Sequence, residues 1–436
     1  MNILDAKNFI TTNDFREICT KLYGTSNEIF EQAKSRYLSA IEKFEKIYSK
    51  NSNPEDNQTK DIHIFSASGR TEIGGNHTDH QHGCVLAAAV NLDAIGVVNF
   101  HNDKVIRVTS EGFESFSVNL DNLSVQKNET GSAAIVRGIV ASFEKIGVKV
   151  YGFDLYTTSD VACGSGISSS AAFETLIGTI IDSYYNQNNA GAVEIAKIGQ
   201  FAENVYFGKN SGLMDQMVSS VGGLVFIDFN DTENPIIDNF KYDFESKGYC
   251  ICITDTKGSH ADLTDDYVAI RAEMESVAAF FGKQYLRQVD ETEFWENISE
   301  IRKSKKCSDR AINRAIHFFN DNKRAKQEAD ALKSDNLQTF LKLVQQSGDS
   351  SIILLQNLYS ISNPTNQELL LGITVSKKIL EEKGAVRVHG GGFAGTIQAF
   401  VPNEKLESYM QQMNKLFGKD SCKKINIRSV GGIKIL

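Results

Sequence analysis

The chain has 436 residues, with 55 acidic and 46 basic side chains and a formal charge of −9. That length exceeds one typical core and points to two domains of roughly 100–200 residues each. Hydrophobic residues at 41% and charged residues at 23% exclude a disordered or collagen-like chain, and the acidic balance argues against a nucleic-acid binder, which usually carries a basic face.

Residues 1–60 read as a helical extension. Thr25 and Glu28 fit a capping box. After them Ile29, Phe30, Ala33, Tyr37, Ile41, Phe44 and Ile47 recur at helical spacing, so one face packs on the rest of the chain. Residues 51–58 are polar, contain Pro54 and read as a linker. The first fifteen residues carry Asp5 and Asp14 and no long apolar run, so no signal peptide is expected. No stretch approaches the ~20 apolar residues of a membrane span. Seven cysteines without a C-x-x-C pair read as reduced, structural thiols, and the expected location is the cytoplasm.

The body begins at Ile62. Ile62, Ile64 and residues 65–67 predict a strand, and residues 85–100, rich in Val and Ile, one or two more. Residues 105–109 and 113–118 alternate as strands do. Helices are predicted over 133–143, 168–181 and 192–206, and strands over 150–157, 224–229 and 249–254. Helical patterns dominate 265–383. Strands follow at 385–388 and 396–401, a helix near 405–417 and a last strand around 424–430. Helices and strands do not alternate strictly, so the class is α+β. The expected division is 1–60, 61–240 and 241–436.

Three segments carry chemistry. Residues 163–172 run Cys-Gly-Ser-Gly-Ile-Ser-Ser-Ser-Ala-Ala between a strand and an apolar helix. Glycines let backbone N–H groups converge, and the helix N-terminus adds free donors and a positive dipole end, which suits a triphosphate. No Walker pattern occurs, nor a protein-kinase signature. Residues 69–83 pack an arginine, acids, an amide and three histidines into a glycine-bounded loop suited to a polyhydroxylated ligand. A metal site from His77, Asp79, His80 and His82 is the rival, though four such close neighbours ligate awkwardly. Residues 390–395, Gly-Gly-Gly-Phe-Ala-Gly, would alone be a flexible turn.

In this order and context the three segments resemble the GHMP kinase superfamily, named for galactokinase, homoserine, mevalonate and phosphomevalonate kinases. Arg70 to Gly83 is similar to the galactokinase signature, and residues 211–216 to the galactokinase segment that carries the catalytic aspartate. The resemblance spans nearly everything after about residue 62. It implies a two-domain fold with the active site in the cleft between the domains. It also implies an ATP-dependent, Mg2+-requiring sugar 1-kinase acting on a small-molecule sugar, with no nucleic-acid or membrane partner; a monomer is expected.

Residue by residue, the resemblance makes Asp215 the base at the sugar's C1 hydroxyl and pairs Arg70 with it, facing the γ-phosphate. Gly164, Ser165, Gly166, Ser168 and Ser169 would line the phosphates. Ser170 and Glu203 would hold magnesium, for which two protein ligands suffice. Asn76, His77, Asp79, Gly212 and Tyr267 match sugar-contacting positions, with Gly391 and Gly392 approaching from the second domain. The departures lie at the sugar end. Asn76 replaces the family's Glu, His80 a usual Tyr, Ala394 a glycine and Ala162 a proline. Ser132 falls near an aromatic that some relatives place against adenine. Galactose is the first expected substrate. Asn76, neutral where the family has a carboxylate, makes a uronic acid such as galacturonate an alternative. A non-catalytic sugar sensor and a histidine-rich metallohydrolase are the readings from other classes.

Overall fold

The computed structural model describes residues 1–48, 61–127, 129, 131–161, 166–209, 211–259 and 263–436. The linker expected at 51–58 lies outside them. Three helices open the chain: α1 (Ile3–Phe9), α2 (Asn13–Leu22) and α3 (Asn27–Tyr48). Asn2 and Thr12 cap the first two by accepting from Asp5 and Phe15 backbone N–H groups. At α3 the capping hydroxyl is that of Ser26, which accepts from Ile29 N at 3.1 Å. Thr25 does not take this part, because the helix starts a residue later than its capping box requires. The periodic face of α3 is buried through Phe30, Ala33, Tyr37, Ile41 and Phe44, while Ile47 at its end stays exposed. That face packs with α1 and α2 over Ile62, Ile64, Ile95, Val97 and Tyr156.

Those last residues belong to the larger sheet. Its centre is the antiparallel pair β1 (His63–Gly74) and β2 (Cys84–Phe100). Strands β3 (Val105–Ser110), β4 (Phe116–Asn119), β5 (Phe153–Ser159), β6 (Leu224–Asp228) and β7 (Ile236–Phe240) extend it. β2 is long enough to pair twice, with β5 along residues 94–100 and with β6 along 84–88. Only the β3–β5 pairing is parallel among those described. Behind the sheet lie α4 (Ser132–Lys145), α5 (Ser169–Tyr185), α6 (Gly191–Phe201) and α7 (Met214–Val221). The helix expected over 192–206 loosens after Phe201 into a π-turn, Ala202–Phe207.

The second sheet has the order β11 (Cys422–Ile425), β8 (Tyr249–Asp255), β10 (Thr396–Pro402), β9 (Ala385–His389), all antiparallel. Helices α8 (Thr264–Phe280), α9 (Glu291–Lys303), α10 (Asp309–Lys333), α11 (Leu337–Ser350), α12 (Glu368–Leu380) and α13 (Leu406–Phe417) complete this half. The change of sheet falls between Phe240 and Tyr249. The chain then crosses back, because β12 (Ile433–Lys434) pairs with β1 at Phe65 and Ser66. The principal core also runs across both halves, joining Leu86, Val98 and Leu176 to Ile251, Phe340 and Phe400. The class is α+β, as the element pattern predicts. The described cysteines Cys19, Cys84, Cys250, Cys252, Cys307 and Cys422 are buried and unbridged. Among the described residues no helix is long and apolar enough to cross a membrane.

Candidate active site

β1 is buried along nearly its whole length, so its charged side chains have nowhere to go but into designed company. Its pairing with β2 slips between Ser68 and Arg70 and again between Glu72 and Gly74. Bulges of this kind bend a strand and re-aim its side chains. The first turns Arg70 toward α7. Arg70 Nε and Nη2 each donate to Asp215, to Oδ1 and Oδ2, at 2.7 Å. Its Nη1 donates to the Gly166 carbonyl, and its backbone N–H to Ile167 O at 3.0 Å. Gly69 permits that approach, since a Cβ there would lie 2.7 Å from Ile167 Cγ2.

Ser168 sits in the left-handed region at φ 60°, uncommon for a residue with a Cβ. The conformation aims its hydroxyl at Asp215 Oδ2, 2.7 Å away. Burial alone would raise the Asp215 carboxyl, but Arg70 and the Ser168 hydrogen bond outweigh it and hold the group below its usual range. The guanidinium, the carboxylate and the end of the glycine–serine loop therefore meet. Gly164 and Ser165 lie outside the described residues. Gly166 lies against the second sheet, where a Cβ would come within 2.5 Å of Thr396 Oγ1 and 3.0 Å of His389 Nδ1. Ser169 and Ser170 form the first turn of α5.

The loop after β1 is tied to the triple glycine. Asn76 Nδ2 donates to Gly390 O at 2.8 Å and to Glu72 Oε1 at 2.9 Å. Its Oδ1 accepts from Asn357 at 2.9 Å and Ser351 at 3.3 Å. The whole hydrogen-bonding capacity of that side chain is thus spent on protein partners. Glu72 is paired in turn with buried Arg387. His77 Nε2 lies 2.9 Å from Gly391 O, so that nitrogen carries the proton and Nδ1 accepts from His80 Nε2 at 3.3 Å. Burial brings His77 down to about 4, so the ring is neutral at pH 7. Tyr267 donates to Gly392 O at 2.8 Å. Gly392 has φ +81°, and a Cβ on it would collide with the Asn357 backbone.

Asp79 lies beyond this knot, against Gly212, where any Cβ would overlap its carboxylate. It accepts from His80 N at 2.8 Å. Burial, with the Asp215 charge nearby, pushes its carboxyl up to about 7. A cavity of about 200 Å³ opens here, lined by Asp79, His80, Ser211, Gly212, Arg271 and Tyr285.

A third group joins α5, the π-turn and α7. The Gln216 amide, next to Asp215, donates to Glu203 Oε2 at 2.9 Å and Glu174 Oε2 at 3.0 Å. Lys209 covers Glu203 Oε1 at 2.8 Å. Glu174 Oε1 is buried and has no hydrogen-bond partner among the described residues. Burial and the Glu203 charge push the Glu174 carboxyl well above the usual range. Ser170 lies one turn before Glu174 on the same helix face. This acid-rich corner fits a hard cation that keeps phosphate and water ligands. Among the described residues no cluster of three or more His, Cys, Asp or Glu is arranged to hold a metal by itself.

Sequence reasoning missed His389, Gln216, Lys209 and the Ser168–Asp215 bond. Gln216 stands beside the recognised aspartate and could have been found as a neighbour on its helix. His389 could not, since its partner Thr71 is 318 positions away.

Comparison with known proteins finds relatives over most of the chain. Residues 134–223 match the GHMP kinases N terminal domain, and residues 42–100 the galactokinase galactose-binding signature. A galactokinase of Glaesserella parasuis serovar 5 (strain SH0165) is 31% identical over 369 residues, 83% of this chain and 90% of its own length. One from Actinobacillus pleuropneumoniae serotype 5b (strain L20) is 32% identical over 348 residues, 78% and 85% of the two chains. Among solved structures, Lactococcus lactis galactokinase complexed with galactose superposes with a TM-score of 0.76 at 24% identity, covering 91% of this chain and all of that one. A mevalonate kinase superposes at 0.57 and 18%, covering 83% and 99%, so the fold is that of the GHMP kinases. With nearly a third of positions identical across nine-tenths of a curated relative, this chain belongs to the galactokinase family, whose members are ATP-dependent sugar kinases.

Proposed function

We propose that the protein transfers the γ-phosphoryl group of ATP to the C1 hydroxyl of galactose. The observation that carries this reading is the bidentate Arg70–Asp215 pair beside the glycine–serine loop. Phosphoryl transfer asks the protein mainly for positioning and for positive charge around the moving group. Asp215, held ionised, accepts the hydroxyl proton as the new O–P bond forms, and its hydrogen bond orients that oxygen in line. Arg70 serves both ends: it keeps Asp215 charged and faces the charge growing on the phosphoryl oxygens. Gly166, Ser169 and the N-terminus of α5 would cradle the phosphates. Ser170 and Glu203 would hold magnesium, which neutralises phosphate oxygens when bound. Asp79, the Gly212 backbone, His77 and Tyr267 would contact the sugar, with Gly391 and Gly392 closing over it.

The galacturonate alternative loses its footing at Asn76, whose four hydrogen-bonding positions all go to protein groups. Nor is this end of the site free of carboxylate, because Glu72 stands 2.9 Å from the Asn76 amide. A sensor without chemistry would not need the Arg70–Asp215 pair, and a metallohydrolase would not spend His77 and His80 on each other. A panel of galactose, galacturonate and related hexoses at fixed ATP and Mg2+, read by ADP release, tests the proposal. Galactose should give the highest kcat/KM; absence of sugar-dependent ADP release would defeat it.

A further inference from the structure

Lys209 has no part in the reaction as described, yet it sits on one of its acids. Glu203 is 2% exposed and its two oxygens are treated differently. Gln216 seals Oε2 from the inside. The ammonium of Lys209 covers Oε1 from the solvent side, with more than half of the lysine side chain exposed. The backbone is shaped for this contact. Gly208 takes the left-handed conformation at φ +83°, and no other described residue would meet a Cβ there, so the glycine is needed for its turn. The Lys209 N–H then donates to Glu203 O at 3.1 Å, which brings the lysine back onto an acid six residues earlier.

We propose that Lys209 is a resident counter-cation of the metal site: a divalent ion reaching Glu203 must displace its ammonium, so Lys209 sets the metal concentration at which the site fills. The proposal rests on the reading of Glu203 as a metal-holding residue. It follows from how a metal would have to arrive. The inner oxygen is held by an amide that also bonds Glu174, so the outer oxygen is the accessible one, and a cation already stands there. An ammonium on a flexible stem can leave without moving the backbone. Because the pair is solvent-exposed on the lysine side, it is weak enough to be displaced, and its competition amounts to about two- to five-fold in metal affinity.

The test uses Mn2+ as the probe and the full-length, nucleotide-free protein, with bound metal counted from the loss of the free-ion electron paramagnetic resonance signal. Lys209→Met should bind Mn2+ about two- to five-fold tighter than the parent. Glu203→Gln should bind it far more weakly, and the double variant should match Glu203→Gln. In parallel, pulse acetylation read by mass spectrometry should label Lys209 faster once Mn2+ is present. Unchanged or weaker Mn2+ binding by Lys209→Met overturns the proposal and leaves the lysine a structural tether, as does the absence of Mn2+ uptake by any form. Parental binding by Glu203→Gln overturns the proposal together with the metal assignment. Sugar-dependent ADP release by the parent, measured alongside, reports on the kinase reading separately.

Discussion

Two fork-like hydrogen bonds between Arg70 and Asp215 mean that neither residue tolerates a near-equivalent. Arg70→Lys keeps the charge but cannot donate twice in one plane. We expect kcat to fall about 100- to 1000-fold with a smaller change in KM for sugar, because the lost interaction matters most where charge develops. ADP-release kinetics on protein of parental melting temperature check this, and a kcat within tenfold of the parent would remove Arg70 from its role. Asp79 makes a pH prediction. Burial and then Asp215 raise its carboxyl to about 7, so it is largely protonated at pH 6 and ionised at pH 8. On the proposed sugar contact, the carboxylate can accept a hydroxyl at each oxygen and its acid form accepts as well at only one, so KM for galactose should rise as pH falls from 8 to 6 and stay high and flat in Asp79→Asn. Its effect on stability runs the same way round as any raised acid. The folded state holds the proton that the unfolded chain sheds near pH 4, so the contribution is present below about pH 4 and lost as pH climbs toward 7. The residues that could be read in the sequence are those inside contiguous motifs, such as Arg70, Asp79 and Asp215. Those that could not, such as His389 and Lys209, work through partners that only folding brings near, or through a turn whose left-handed glycine is unremarkable in a string of letters.

The elements carry the site by their irregularities. Two bulges re-aim β1, a left-handed Ser168 opens α5 and a π-turn brings Glu203 inward. Regular periodicity gave no warning of these. Residues 192–206 keep a helical apolar pattern through the π-turn, yet the turn leaves Val205 exposed and buries Glu203, so the letters do not mark where the helix loosens. β7 went unread because it is an edge strand with Ile236 exposed and no clean alternation. The loop after β1 is a different case, because its motif was legible but its wiring was not. Asn76 reads as a sugar contact, yet its amide ties Glu72 and Gly390 together and its carbonyl is held by Ser351 and Asn357. Asn76→Glu would place a second buried carboxylate against Glu72 and remove both amide donors. That should cost about 3–5 kcal/mol, seen as a lower melting temperature, without turning sugar preference toward a uronate. A variant with parental stability and a new preference for galacturonate would show that position 76 faces the sugar after all.

At the scale of the molecule, the helical extension and the returning C-terminus share a tie to one buried acid, beside their apolar packing and the β12–β1 pairing. Asp93 accepts from Tyr23 at 2.6 Å, Arg36, Ser66 and Arg428, the last at 3.1 Å. These come from α2–α3, the centre of the larger sheet and the tail before β12, at separations of 57 to 335 positions from Asp93 for the two arginines. The amphipathic face of α3 announced that it would be covered; nothing local announced this clamp. Burial by itself would raise Asp93, but Arg36 and Arg428 outweigh it and hold the carboxyl below its usual range. Replacing it with asparagine leaves Arg428 fully buried without its counter-charge. Asp93→Asn should therefore lose about 3–5 kcal/mol and melt about 3–6 °C lower at pH 7. The sign of its pH dependence follows from a depressed acid. Its contribution is complete above about pH 4, where the unfolded aspartate is also ionised, and is lost as pH falls through the lower folded value. Thermal melts of parent and variant from pH 7 down to pH 3 should thus show a gap that holds steady to about pH 4 and narrows below it. A gap that widens on acidification would mean that the carboxylate does not help join the extension and the tail to the catalytic body.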